Sequence, residues 1–257
     1  MPNVDTNPQR TGRTMQSDEE AYKKAYYDKF AAEFDNYNIQ PRDEHSFALF
    51  ALEGFIDFLG IESILDVGSG TGRTLLHLQQ RKPNLKACGI EPSDGMRARA
   101  VEKGVALEQL VSGDATKLPF QNGAFDLVTT FGVLHHIRDP EIAIEQMLRV
   151  AKKAVFISDS NNMGQGTSPA RLLKRTLTKL GLWSASYWLW TGGKGYWTSP
   201  HDGLAYSFSI LNHRKQIENS CQAVHYLSTQ TSGPNLIAEA AHVAVLGIKR
   251  DIDFPKN

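Results

Sequence analysis

Apolar and polar positions change period several times along this chain. Between residues 61 and 160, short apolar runs of strand length alternate with stretches of helical spacing. Ile64–Val67, Lys86–Ile90, Leu107–Val111, Phe125–Thr130 and Ala154–Asp159 read as strands. Helices are predicted over about Thr71–Arg81, with Leu75, Leu76 and Leu78 on one face, over Asp94–Lys103, and over Pro140–Val150, where proline opens the first turn. Strict alternation of this kind predicts an α/β fold, a parallel sheet with helices on both faces. Right-handed crossovers then place ligands at the carboxyl ends of the strands.

The flanks differ. Met1 to Glu20 is polar and is expected to be a mobile tail. Two amphipathic helices follow, within residues 21–60. One runs from Glu20 to about Tyr37 and carries Tyr22, Tyr26, Tyr27, Phe30 and Phe34. The other runs from about Asp43 to Leu59, carries Phe47, Phe50, Phe55 and Phe58, and is stopped by Gly60. Both precede the first strand and are expected to cover the mouth of a site. Residues 161–205 interrupt the alternation. They hold a basic amphipathic helix over Pro169–Leu182, all four tryptophans, and Gly192, Gly193 and Gly195. Residues 206–257 return to the core with a helix over about Asn212–Cys221 and two antiparallel strands, Ala223–Thr229 and His242–Lys249.

With 257 residues, the chain is long enough to bury a core without staples. Twenty-eight basic and 28 acidic residues cancel, which argues against a nucleic-acid footprint. Cys88 and Cys221 form no metal spacing and suit free thiols in a reducing compartment. No apolar run reaches the length of a membrane span and no signal-peptide core is visible, so a soluble cytoplasmic protein is expected.

Candidate chemistry begins at Asp66-Val67-Gly68-Ser69-Gly70-Thr71-Gly72-Arg73, a strand running into a glycine turn and a helix. Glycines at alternate positions leave bare backbone for a ligand to lie against, and the unpaired first N–H groups of the helix favour a negative group. The dinucleotide fingerprint would need glycine where Arg73 stands. Glu91 ends the next strand, where a carboxylate can accept both hydroxyls of a ribose, a feature shared by nicotinamide and adenosyl ligands. Asp114, in Gly113-Asp114-Ala115, is placed to accept from an exocyclic amine. The adjacent pair His135-His136 follows the fourth strand and has no zinc spacing, so no metal is expected.

Taken in order, ILDVGSGTGR, GIEPSDGM and GDATKLPF with FDLVTTFGVLHHI resemble the class I S-adenosylmethionine-dependent methyltransferases, in particular the small-molecule branch that includes the ubiquinone and menaquinone methyltransferases. The resemblance implies a Rossmann-like seven-stranded sheet of order 3-2-1-4-5-7-6, its seventh strand antiparallel. It implies S-adenosyl-L-methionine as cofactor and S-adenosyl-L-homocysteine as product. By motif position, Gly68, Ser69, Gly70 and Gly72 would pass beneath the methionine part, and Asp66 would fix the turn or reach its amino group. Glu91 would hold the ribose, Pro92 and Met96 would lie beside the adenine, and Asp114 and Ala115 would meet its polar edge. Phe131 and His136 would border the transfer centre, and Tyr27 would close over the cofactor.

Methyl transfer needs alignment and exclusion of water, and a base only when the acceptor is a hydroxyl or an acidic carbon. His136, His135 and Asp159 are the candidates. The expected reaction is O-methylation of a small saccharide or hydroxylated aromatic. The alternatives are quinone-type C-methylation, a nicotinamide-dependent oxidoreductase and a non-catalytic adenosyl-binding module. Residues 161–205 are expected to form a hinged lid, with Trp188, Trp190, Tyr196 and Trp197 against the acceptor. Contact between copies in a homodimer, or docking at a membrane surface, would also use these tryptophans. The chain carries no Asn/Asp-Pro-Pro-Tyr/Phe motif after the fourth strand, which argues further against a nucleic-acid substrate.

Overall fold

In the computed structural model, residues 8–250 are described except 231, 232 and 234, with side chains from residue 18 onward. The sheet has seven strands: β1 (Ser63–Val67), β2 (Lys86–Ile90), β3 (Leu110–Val111), β4 (Phe125–Phe131), β5 (Ala151–Ser160), β8 (Cys221–Ser228) and β9 (His242–Lys249). Their spatial order is β3-β2-β1-β4-β5-β9-β8. β1 to β5 pair in parallel, while β9 runs antiparallel to both β5 and β8. Counted along the sheet's own strands, this is the expected order with its antiparallel seventh member.

Period-two alternation builds the core. Ile64, Leu127, Phe156, Ala244 and Leu246 face one side, where they pack with Ala48, Leu49, Leu52 and Ile56 of α2 (Glu44–Phe58). Leu65, Val128, Val155, Ile157, Val243 and Val245 face the other, against Ala143, Ile144 and Met147 of α5 (Pro140–Val150) and Ile217 of α8 (Arg214–Ser220). Because neighbouring strand residues point to opposite faces, a slip of one position would expose both sets. The glycine turn leads into α3 (Arg73–Arg81), and β2 leads into α4 (Asp94–Glu102).

The ends depart from the sequence pattern. α1 spans Pro8–Asn38 and so begins well before Glu20. The part of the expected tail at residues 1–7 lies outside the described residues. Glu19 is buried: it accepts from Arg138 Nε (2.9 Å) and from the Tyr206 hydroxyl (2.6 Å). A polar anchor of this kind leaves no mark on hydrophobic periodicity. β3 keeps only two residues, because Leu107–Gln109 turn as a 3-10 helix with Leu107 in solvent.

Between β5 and α8 the chain forms α6 (Ser168–Lys179), α7 (Trp183–Trp190) and a separate antiparallel hairpin of β6 (Tyr196–Ser199) and β7 (Gly203–Tyr206). No helix among the described residues is long and apolar enough to cross a membrane.

Candidate active site

The strand tips and α1 enclose a cavity of about 840 Å³. Its floor is the glycine turn. The amides of Gly68 and Ser69 donate to the Ile90 carbonyl (2.8 and 3.1 Å), which ties the turn to β2. Gly68 has φ of 71°, and a Cβ there would stand 2.5 Å from Val133 Cγ2, so this position requires glycine on two grounds. Gly70 lines the cavity with open space where a side chain would be. Gly72 lies outside the cavity wall and starts α3 from a left-handed conformation, φ 80°.

Asp66, Ser69, Glu91, Pro92, Met96, Asp114, Ala115, Phe131 and Tyr27 all line the same cavity. Asp66 is buried at the end of β1 and accepts from Thr129 Oγ1 (2.9 Å). Burial pushes its carboxyl up to about 7, against the opposing effect of the Thr129 and Thr74 hydroxyls. The Glu91 carboxylate accepts from the amides of Ser93 (2.9 Å) and Gly70 (3.0 Å). Burial raises its pKa as well, against the opposing effect of those two amides. Asp114 is held at one oxygen by the amide of Thr116 (2.7 Å).

This donor set fits an adenosyl sulfonium. A buried carboxyl lies near bare glycine backbone, a second carboxylate stands at a strand end, and a third sits at the mouth. Asp66 would meet the cofactor's ammonium, Glu91 its ribose and Asp114 its adenine.

α1 forms the cover. Asp28 accepts from the amide of Gly95 (2.9 Å) and from Ser93 Oγ (2.7 Å), capping α4 from outside. Burial pushes the Asp28 carboxyl up, but these two contacts and the Lys24 ammonium together outweigh it and hold the group down at about 2. Lys103 Nζ and Thr71 Oγ1 both bond Asp35, each at 2.5 Å. Lys23 Nζ donates to the His136 carbonyl (3.0 Å), so the cover also touches the histidine turn.

The two histidines differ. His136 Nδ1 lies 2.7 Å from the Leu204 carbonyl and must donate its proton there. Nε2 then carries the lone pair and lies 3.2 Å from the Tyr27 hydroxyl. Burial and the neighbouring His135 charge lower its pKa, which keeps the ring neutral. His135 Nδ1 lies 2.7 Å from Asp159 Oδ1, and its Nε2 lies 3.7 Å from Asp202 Oδ2. Burial opposes the charge, but the two carboxylates outweigh it and lift His135 to about 10. Asp159 lies behind the wall rather than in it. Its second oxygen accepts from the amides of Val133 (3.0 Å) and Leu134 (2.8 Å), which fixes the turn that presents His135.

The aromatic insertion is placed differently from the expectation. Trp188, Trp190, Tyr196 and Trp197 are all absent from the cavity lining, and Trp188, Trp190 and Trp197 are exposed. Trp183 is anchored by its N–H to Ser207 Oγ (2.9 Å), Trp190 and Trp197 stack on each other, and Tyr196 packs edge-on against Tyr206. In their place the hairpin turn supplies Asp202, while His45 of α2 and His242 of β9 close the far wall. Burial lowers the pKa of both these rings, His242 to about 3, so they face the cavity uncharged. Period and motif both miss them, because they are brought together only by the closing of the sheet.

The sequence profile described as a methyltransferase domain matches residues 65–157. Norajmaline N-methyltransferase of Rauvolfia serpentina is 37% identical over 94 residues, 35% of this chain and 32% of that one. Demethylmenaquinone methyltransferase of Roseiflexus castenholzii is 36% identical over 89 residues, 34% and 37% of the two chains. The chain thus spans about a third of the length of these relatives in the matched region. A solved S-adenosylmethionine-dependent methyltransferase from Thermotoga maritima superposes with a TM-score of 0.55 at 19% identity, over 88% of this chain and 99% of that one, a likeness of fold. Sheet order, glycine turn and sequence matches agree: residues 65–157 carry a methyltransferase domain, in a sheet of the fold seen in the S-adenosylmethionine-dependent methyltransferase of Thermotoga maritima.

Proposed function

We propose that this protein transfers the methyl group of S-adenosylmethionine to a hydroxyl of a small acceptor. When bound, the cofactor supplies an already activated methyl group, so the chain's own tasks are alignment, exclusion of water and removal of the acceptor proton. The observation that carries the reading is His135 in the cavity wall, held from behind by Asp159. Asp159 holds Nδ1, while Nε2 pairs only loosely with Asp202, 3.7 Å away and beyond hydrogen-bond length. A hydroxyl entering between them would meet an oriented imidazole. A neutral amine is nucleophilic enough to attack without help, whereas a hydroxyl gains most from losing its proton as it attacks.

In the resting protein His135 is charged, so the active form is the one that has lost its proton. The sign follows: the rate with a hydroxyl acceptor rises with pH towards the alkaline side. The charge of a bound sulfonium pulls that rise below the unloaded value of about 10. The neutral rings of His45 and His242 and the amide of Gln165 line the same space, a wall suited to a polyhydroxylated saccharide or a phenol.

The test is a screen of hydroxylated aromatics and saccharides with the full chain, products read by mass. His135→Gln is expected to lower kcat ~100-fold with hydroxyl acceptors while cofactor affinity holds. An amine as the best acceptor, with His135→Gln leaving kcat unchanged, would overturn the O-methylation reading.

A further inference from the structure

From Asp159 to Asp202 the chain has no acidic residue, yet it carries Arg171, Lys174, Arg175, Lys179 and Lys194, in a protein of zero net charge. The same span exposes long apolar side chains. Leu172, Leu173 and Leu180 of α6 and its cap are each at least 60% exposed, as are Leu189 and Trp190 of α7. Trp190 stacks on the exposed Trp197 of β6, with centroids 5.7 Å apart and planes at 7°, a flat aromatic plate facing solvent. A soluble surface has no reason to keep these groups together.

The basic residues divide into two sets. Lys174 turns inward to the carbonyls of Asn162 (2.9 Å) and Gln165 (3.0 Å), and Arg171 to that of Gly166 (2.8 Å), which pins α6 to the body. Arg175 and Lys179 have no ion pair among the described residues, and they follow Leu172 at the spacing that puts all three on one side of the helix.

We propose that α6, α7 and β6 dock the protein on an anionic phospholipid bilayer. Tryptophans favour the headgroup level, leucines the acyl boundary, and unpaired basic side chains the lipid phosphates. Charge selects this occupant over a second copy, because a two-fold contact would bury two copies of the same basic, acid-free face against each other. The patch also adjoins the cavity. Gln165, to which α6 is pinned, and Asp202, in the turn after β6, both belong to the cavity wall. Docking would therefore bring the cavity mouth to the interface, where an amphipathic acceptor concentrates.

The experiment is flotation of the full chain with vesicles of phosphatidylcholine alone and of phosphatidylcholine mixed equally with phosphatidylglycerol. Binding is expected to the mixed vesicles only and to weaken as salt is raised. Arg175→Glu with Lys179→Glu, and separately Leu172→Asp with Leu173→Asp, should each weaken it at least ~10-fold. Calorimetry with S-adenosylmethionine should be unchanged in the charge-reversed variant, which shows that it folds. No binding to mixed vesicles would overturn the proposal. So would undiminished binding by both variants, or a dimer in solution that either variant dissociates. Vesicle binding is read without methyl transfer, so its failure and the failure of the catalytic reading are separable.

Discussion

Asp66 is sealed at the tip of β1 with two threonine hydroxyls for company, and its titration near pH 7 has a consequence for stability. Its folded pKa lies above the unfolded value of 3.8. The stabilisation it contributes is thus complete below about pH 4 and is lost as pH rises through 7. Each unit of pKa difference corresponds to roughly 1.4 kcal/mol, so Asp66→Asn should flatten the decline in unfolding free energy, measured with urea between pH 5 and 8, by about a few kcal/mol at most. A variant whose decline matches the parent would show that Asp66 is charged in the folded protein. Gly68→Ala is the steric counterpart. Its Cβ meets Val133 at 2.5 Å with φ at 71°, and cofactor affinity should fall ~100-fold or more with the fold retained, as read by calorimetry and circular dichroism. Of the single residues, those in local motifs were legible in the sequence: Asp66, Gly68, Glu91, Asp114 and His135 all reach the cavity. Asp202, His45 and His242 were not. Each belongs to a different element, and no spacing along the chain relates them.

Among elements, α1 governs access. At Gly95 its backbone approaches α4 closely, since a Cβ there would lie 2.6 Å from the Asp28 carbonyl oxygen. Backbone cannot give way as a flexible side chain does. Gly95→Ala should lift α1, speed protease cleavage within it and weaken cofactor binding ~10-fold or more, while the sheet's thermal transition moves little. The strands and helices of the core were readable because each buries one periodic face. The length of α1 was hidden because Glu19, Arg138 and Tyr206 fasten it through polar contacts. The hairpin of β6 and β7 was hidden too. Its strands pair only with each other, outside the main sheet, and their buried residues, Gly203 and Leu204, are adjacent rather than alternate, so no apolar alternation marks them.

At the scale of the molecule, two apolar layers meet through one sheet, and Phe156, in the layer under α2, is the largest fully buried side chain among the described residues. Phe156→Ala should cost about 3–5 kcal/mol in chemical denaturation, with a single transition retained. Everything that varies the chemistry sits outside those layers, on the tips, the cover and the insertion.

The cover has one more consequence. α1 is fastened on three sides, at α4 through Asp28, at the glycine turn through Asp35 and at the histidine turn through Lys23. A spent nucleoside thioether beneath it cannot leave until these fastenings open together. Turnover should then be paced by departure rather than by bond making. The signature would be a pre-steady-state burst of methylated product and a kcat that slows in viscous sucrose solutions.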